Sequence, residues 1–104
     1  MQNQECPLCD SNAEYMQVYS PDGKLFYCNK CVKFFIDSAS ESYLQGIPEI
    51  TRTEIRNKLS VSASTSKENR LFVIREPKHE EIHGNGHGVA RERMITEWKY
   101  LRKR

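Results

Sequence analysis

Long apolar runs are missing from this 104-residue chain. That excludes a membrane-spanning helix, which needs about 20 consecutive apolar residues. The mean hydropathy of -0.74 agrees, and a soluble protein is expected. Met1-Gln2-Asn3-Gln4-Glu5 lacks the basic and apolar regions of a secretory signal, so a reducing, cytoplasmic setting is expected. Basic side chains are scarce in the first half, where residues 1–50 hold only Lys24, Lys30 and Lys33 against seven acidic residues, a net charge of -4. A surface that neutralises nucleic-acid phosphates needs the opposite balance. Cysteine is scarce as well, with four in all, and a chain this small has little apolar surface to bury and gains from a staple.

Those four cysteines are what the sequence chiefly offers. Cys6-Pro7-Leu8-Cys9 and Cys28-Asn29-Lys30-Cys31 spell two C-x₂-C pairs with eighteen residues between them, the spacing of a tetrathiolate zinc site. Two residues between cysteines let both sulfurs meet one ion from a tight turn. Four soft thiolates fill a tetrahedron and leave no position for substrate, so one structural Zn²⁺ is expected. Two disulfides are the alternative for four cysteines, and the paired spacing together with the reducing setting weighs against it. Iron in a rubredoxin-like site is a second rival, since the ligands are the same. Such knuckles usually carry glycine after the second cysteine of each pair, and here Asp10 and Val32 stand there, which favours zinc.

Between the pairs, the aromatic and β-branched runs 14–19 and 24–27 flank Ser20-Pro21-Asp22-Gly23, a turn sequence, and predict a hairpin that brings the knuckles together. Lys33-Phe34-Phe35-Ile36 either adds a third strand or starts a helix, and its composition favours the strand. Over residues 5–36 the chain thus resembles the zinc-ribbon class, with a treble clef as the alternative. The resemblance implies Cys6, Cys9, Cys28 and Cys31 as ligands. It fixes no function, because the class spans transcription factors, ribosomal and polymerase subunits and protein-docking modules.

The expected whole is an α+β protein: a zinc ribbon over 1–37, then a basic helical and strand region over 38–104. Ser38-Ala39-Ser40-Glu41 and Thr51-Arg52-Thr53-Glu54 read as capping boxes opening two helices, the first stopped by Gly46 and Pro48, the second fraying in the serine-rich run 60–66. Residues 70–75 predict one strand. Val89 to Leu101 reads as an amphipathic helix with Ala90, Met94, Trp98 and Leu101 on one face and Arg93 and Glu97 paired on the other.

Residues 51–104 carry thirteen basic against seven acidic side chains, a net +6. Arg52, Arg56, Arg91, Arg93, Arg102, Lys103 and Arg104 are therefore the candidate contacts to DNA or RNA, in a nucleic-acid-binding or adaptor module. The competing expectation is a protein-interaction module whose partner meets the ribbon or the C-terminal helix. Solvated helix faces and a complemented helix C-terminus account for the same charges without any ligand. His79-Glu80-Glu81-Ile82-His83 matches the H-E-x-x-H pattern of metal hydrolases. Pro77 before it and Gly84-Asn85-Gly86 after it deny it a supporting helix, and no enzymatic activity is expected.

Overall fold

A computed structural model describes residues 2–20, 22–67, 69–77 and 94–100. Their strands are β1 (Gln2–Glu5), β2 (Asn12–Tyr19), β3 (Asp22–Cys28), β4 (Val32–Asp37), β5 (Arg70–Arg75) and β6 (Ile95–Tyr100). They form one six-stranded sheet in sequence order. Every neighbouring pair is antiparallel except β4 and β5. A parallel pair needs a crossover, and α1 (Ser38–Gly46) and α2 (Glu49–Ala63) supply it. The expected boundary after residue 37 falls at the β4–α1 junction, and strands from both sides of it share the sheet.

The two parallel strands are the apolar runs of the chain. Phe34-Phe35-Ile36 and Phe72-Val73-Ile74 are buried throughout, the continuous apolar pattern expected of the central strands of a sheet. Side chains alternate between faces: Phe26, Phe34, Ile36, Phe72 and Ile74 meet Leu44 of α1 and Leu59 and Ala63 of α2 in the main core. Phe35 and Val73 point the other way, with Val18, Leu25 and Leu71, into a groove of about 550 Å³. Gly23 is required on that side, because a Cβ there would lie 2.5 Å from the Phe35 ring. Its role is space within β3 and not the turn conformation expected of it.

Asp37 ends β4 and begins the helical layer. One carboxylate oxygen accepts from the Ser40 amide at 2.9 Å, capping α1, and the other accepts from the Glu76 amide at 2.8 Å, beyond the end of β5. The cap is thus one residue earlier than the expected Ser38. Glu41, read as the reciprocal partner of a capping box, instead pairs with Lys24 of β3 at 3.2 Å. At α2 the expected box is also displaced, for the helix starts at Glu49 behind Pro48 with no side-chain cap. Proline holds a φ suited to a helix start without needing a hydroxyl. α2 runs into the serine-rich stretch and ends within it at Ala63, held that far by the burial of Leu59, Ser60 and Ala63.

The largest correction concerns the C-terminal segment. Residues 95–100 are a strand, not part of an amphipathic helix, and pair with β5 over six registered positions. The helical pattern and the alternation of Thr96, Trp98 and Tyr100 coexist in this segment. The β-branched and aromatic residues, offered the exposed edge of β5, settle on the strand. Trp98 does pack against the core, its ring 5.1 Å from Phe72 and beneath the Arg70 guanidinium at 4.0 Å. Glu97, expected one helical turn from Arg93, instead meets Arg75 across the strands at 3.0 Å. Among the described residues the second half therefore holds two strands where one was expected, and β1 was not anticipated.

Candidate metal centre

Each knuckle is a tight turn at the same end of the sheet. The first joins β1 to β2, where the Cys6 amide donates to the Ser11 carbonyl at 2.7 Å and the Asp10 amide donates to the Cys6 carbonyl at 2.9 Å. The second joins β3 to β4, with Cys28 registered opposite Val32. Asp10 and Val32 have φ of 64° and 69°, the left-handed region that glycine occupies most readily. Both knuckles thus adopt the glycine-type backbone without glycine. Their lack of glycine therefore does not separate zinc from iron.

The four sulfurs all lie within 4.8 Å of one another. Cys6 Sγ is 3.8 Å from Cys31 Sγ, and Cys9 Sγ is 3.5 Å from Cys28 Sγ. A zinc ion with four sulfurs at about 2.3 Å would set tetrahedral edges of about 3.8 Å, so the spacing fits a single ion. All four cysteines are free thiols, and a disulfide would need sulfurs about 2.05 Å apart. Each knuckle contributes one sulfur to each close pair, an interlocked arrangement that suits a tetrahedron. Cys6, Cys28 and Cys31 are buried and belong to the same core cluster as Leu8, Phe34 and Leu59.

The thiols are unequal. The hydrogen bond between Cys6 and Cys31 is the chief influence on both, holding Cys31 well below and Cys6 well above the usual thiol range. Burial adds to the rise at Cys6 and opposes the fall at Cys31. Cys28 is pushed up chiefly by burial, against the backbone amides of Cys31 and Lys30. The Leu8 amide likewise points at Cys6 Sγ, 3.5 Å away. Amides turned toward sulfur stabilise thiolates, the form a metal requires.

α2 lays one stripe along this centre. Arg56 reaches Asp10 of the first knuckle, and Ser60, four residues on, lies 3.1 Å from Cys31 Sγ in the second. Arg52, one turn earlier, donates to the Gln45 carbonyl at the end of α1 at 3.1 Å. Arg52 and Arg56, candidates for phosphate contact, thus line a cavity of about 350 Å³ beside Cys6 and Asp10. Arg91, Arg93, Arg102, Lys103 and Arg104 lie outside the described residues, as do Glu80 and the histidines 79, 83 and 87. Ser60 was not anticipated. Its place four residues after Arg56 and one after Leu59 was the available signal, hidden by reading 60–66 as low complexity.

Comparison with known proteins finds no matching family model, no similar curated protein and no similar solved structure. The four-cysteine cluster at one end of a mixed α+β fold is therefore the feature from which its function is argued.

Proposed function

We propose that this chain is a small zinc protein without enzymatic activity, in which the ion organises a binding module. Four sulfurs meeting at tetrahedral spacing inside the core carry the reading. A closed set of four protein ligands leaves no coordination position for water or substrate. Zinc is preferred to iron because it supplies a fold-stabilising centre without redox chemistry. The finer placement, ribbon over treble clef, is supported by β4, the strand that follows the second knuckle and pairs with β3. Elemental analysis of reduced, folded protein tests the centre. One zinc per chain is expected, and either iron or no metal would overturn it.

For the partner, the geometry favours a protein over nucleic acid. Arg52 and Arg56 are committed to Gln45 and Asp10 within the fold, which leaves them poorly placed for phosphates. The open sheet face offers Val18, Leu25, Leu71 and Val73, bordered by charges of both signs at Asp37, Glu76 and Lys99. An apolar centre with a mixed polar rim suits a protein segment, whereas a phosphate track is basic throughout. The nucleic-acid reading keeps one support, the charge of +6 over residues 51–104. Titration of labelled single- and double-stranded oligonucleotides at low salt separates the two. No binding is expected, whereas salt-sensitive binding that weakens when Arg102, Lys103 and Arg104 are removed would restore the nucleic-acid reading.

A further inference from the structure

Cys31 is contacted by a hydroxyl from outside either knuckle. Ser60 Oγ lies 3.1 Å from Cys31 Sγ, and Ser60 is only 6% exposed. A serine inside a helix commonly donates to the carbonyl one turn back; this one meets a sulfur on another element. A metal-bound thiolate offers only lone pairs, so in the loaded centre the hydroxyl must be the donor. We infer that Ser60 is a positioning residue of the metal centre, donating to the Cys31 thiolate and making metal retention depend on the docking of α2. The inference rests on the zinc reading above.

The surroundings strengthen it. The Ser60 hydroxyl is fixed by the helix that carries it, because Leu59 and Ala63 on either side are buried in the core. Arg56 clamps the same helix to the other knuckle. α2 therefore touches both knuckles, with an ion pair to Asp10 at one and a hydrogen bond to Cys31 at the other. A donor aimed at a metal-bound sulfur draws charge from it and fixes its direction. Loss of such partners commonly lowers metal affinity about ten- to hundredfold.

Co²⁺ in place of Zn²⁺ gives a direct reading, because its sulfur-to-metal absorption reports charge on the ligands. Ser60→Thr and Ser60→Val are nearly isosteric, and only the first keeps a hydroxyl. The valine variant should hold Zn²⁺ and Co²⁺ about ten- to hundredfold more weakly in chelator competition, with the sulfur-to-cobalt band moved to lower energy. Threonine should restore both. Ser60→Ala, which adds no atoms, should repeat the valine result if the larger side chains disturb α2. An alanine or valine band identical to that of the unaltered chain would overturn the inference. An unaltered chain that takes up neither ion would overturn the metal centre and this inference together, and it is measured before any variant is made.

Discussion

The two faces of the sheet are built from the same strands and finished differently. On one, Phe26, Phe34, Ile36, Phe72 and Ile74 lie beneath two helices in a core continuous with the cysteines. On the other, Phe35 and Val73 are buried while Leu25 and Leu71 are half-buried and Met16 is exposed. Among the described residues neither helix reaches that face. The covered face thus carries most of the packing of the domain, and the open face is where substitution should be better tolerated.

Metal removal should give the largest effect. Structural zinc contributes roughly 10–16 kcal/mol in zinc-finger peptides, comparable with the whole net stability of a domain. Cys28→Ser, or a strong chelator, should therefore abolish the metal and the thermal transition together. Acid should act in the same direction. Cys6 and Cys28 have raised pKa values, so both hold their protons at neutral pH and must release them on metal binding. Cys31, held low, gives up little further proton until the solution is acidic. Apparent zinc affinity should accordingly fall from about pH 8 to about pH 6, as chelator competition would show. A flat profile would mean that the thiols are already ionised.

Next in size is the contrast between the faces. Phe34→Ala should cost about 3–5 kcal/mol through the cavity it leaves. Leu71→Ser on the open face should cost less, about 1 kcal/mol, since that side chain is only partly buried. Urea unfolding of both variants with zinc bound makes the comparison. Equal losses would mean that the open face is as much a core as the other.

The cysteine cluster, the hairpin and both helices were legible in the sequence because each is local. Two cysteines two residues apart, or a glycine and a proline after a short amphipathic run, announce themselves within a few positions. What stayed hidden depends on pairing across distance. Residues 95–100 satisfy a helical and an alternating pattern alike, and only the edge of β5 decides between them. β1 is polar and short, so no apolar signal marks it. Arg52 and Arg56 carried the right charge for phosphate contact, but the direction of Arg56 depends on where the first knuckle lies and that of Arg52 on the end of α1. The Asp37 cap was missed because a serine one residue later fits the same pattern.

Two smaller effects sharpen how the metal end and the helical layer are joined. Asp37→Ala removes the α1 cap and the acceptor of the Glu76 amide. It should cost about 2 kcal/mol, measured by urea unfolding, with Asp37→Asn recovering part. Val32→Gly should stabilise by about 0.5–1 kcal/mol. Relief of a β-branched residue at φ 69° is worth about 1–2 kcal/mol, less the added freedom of glycine in the unfolded chain. A loss of stability instead would show that the valine side chain contributes more than its backbone strain costs.

The parallel join between β4 and β5 also implies an order of assembly. Tyr19 meets Asp22 across two residues, but Phe34 meets Phe72 only after both helices have been traversed. Closing a longer loop costs more entropy before any contact repays it, about 0.6 kcal/mol for each doubling of length. Nascent chains should therefore form the knuckle hairpin first and seat β5 afterwards. A ribosome that has released the chain only as far as residue 50 would already have exposed all four sulfurs to metal, with the parallel partner of β4 still to be made.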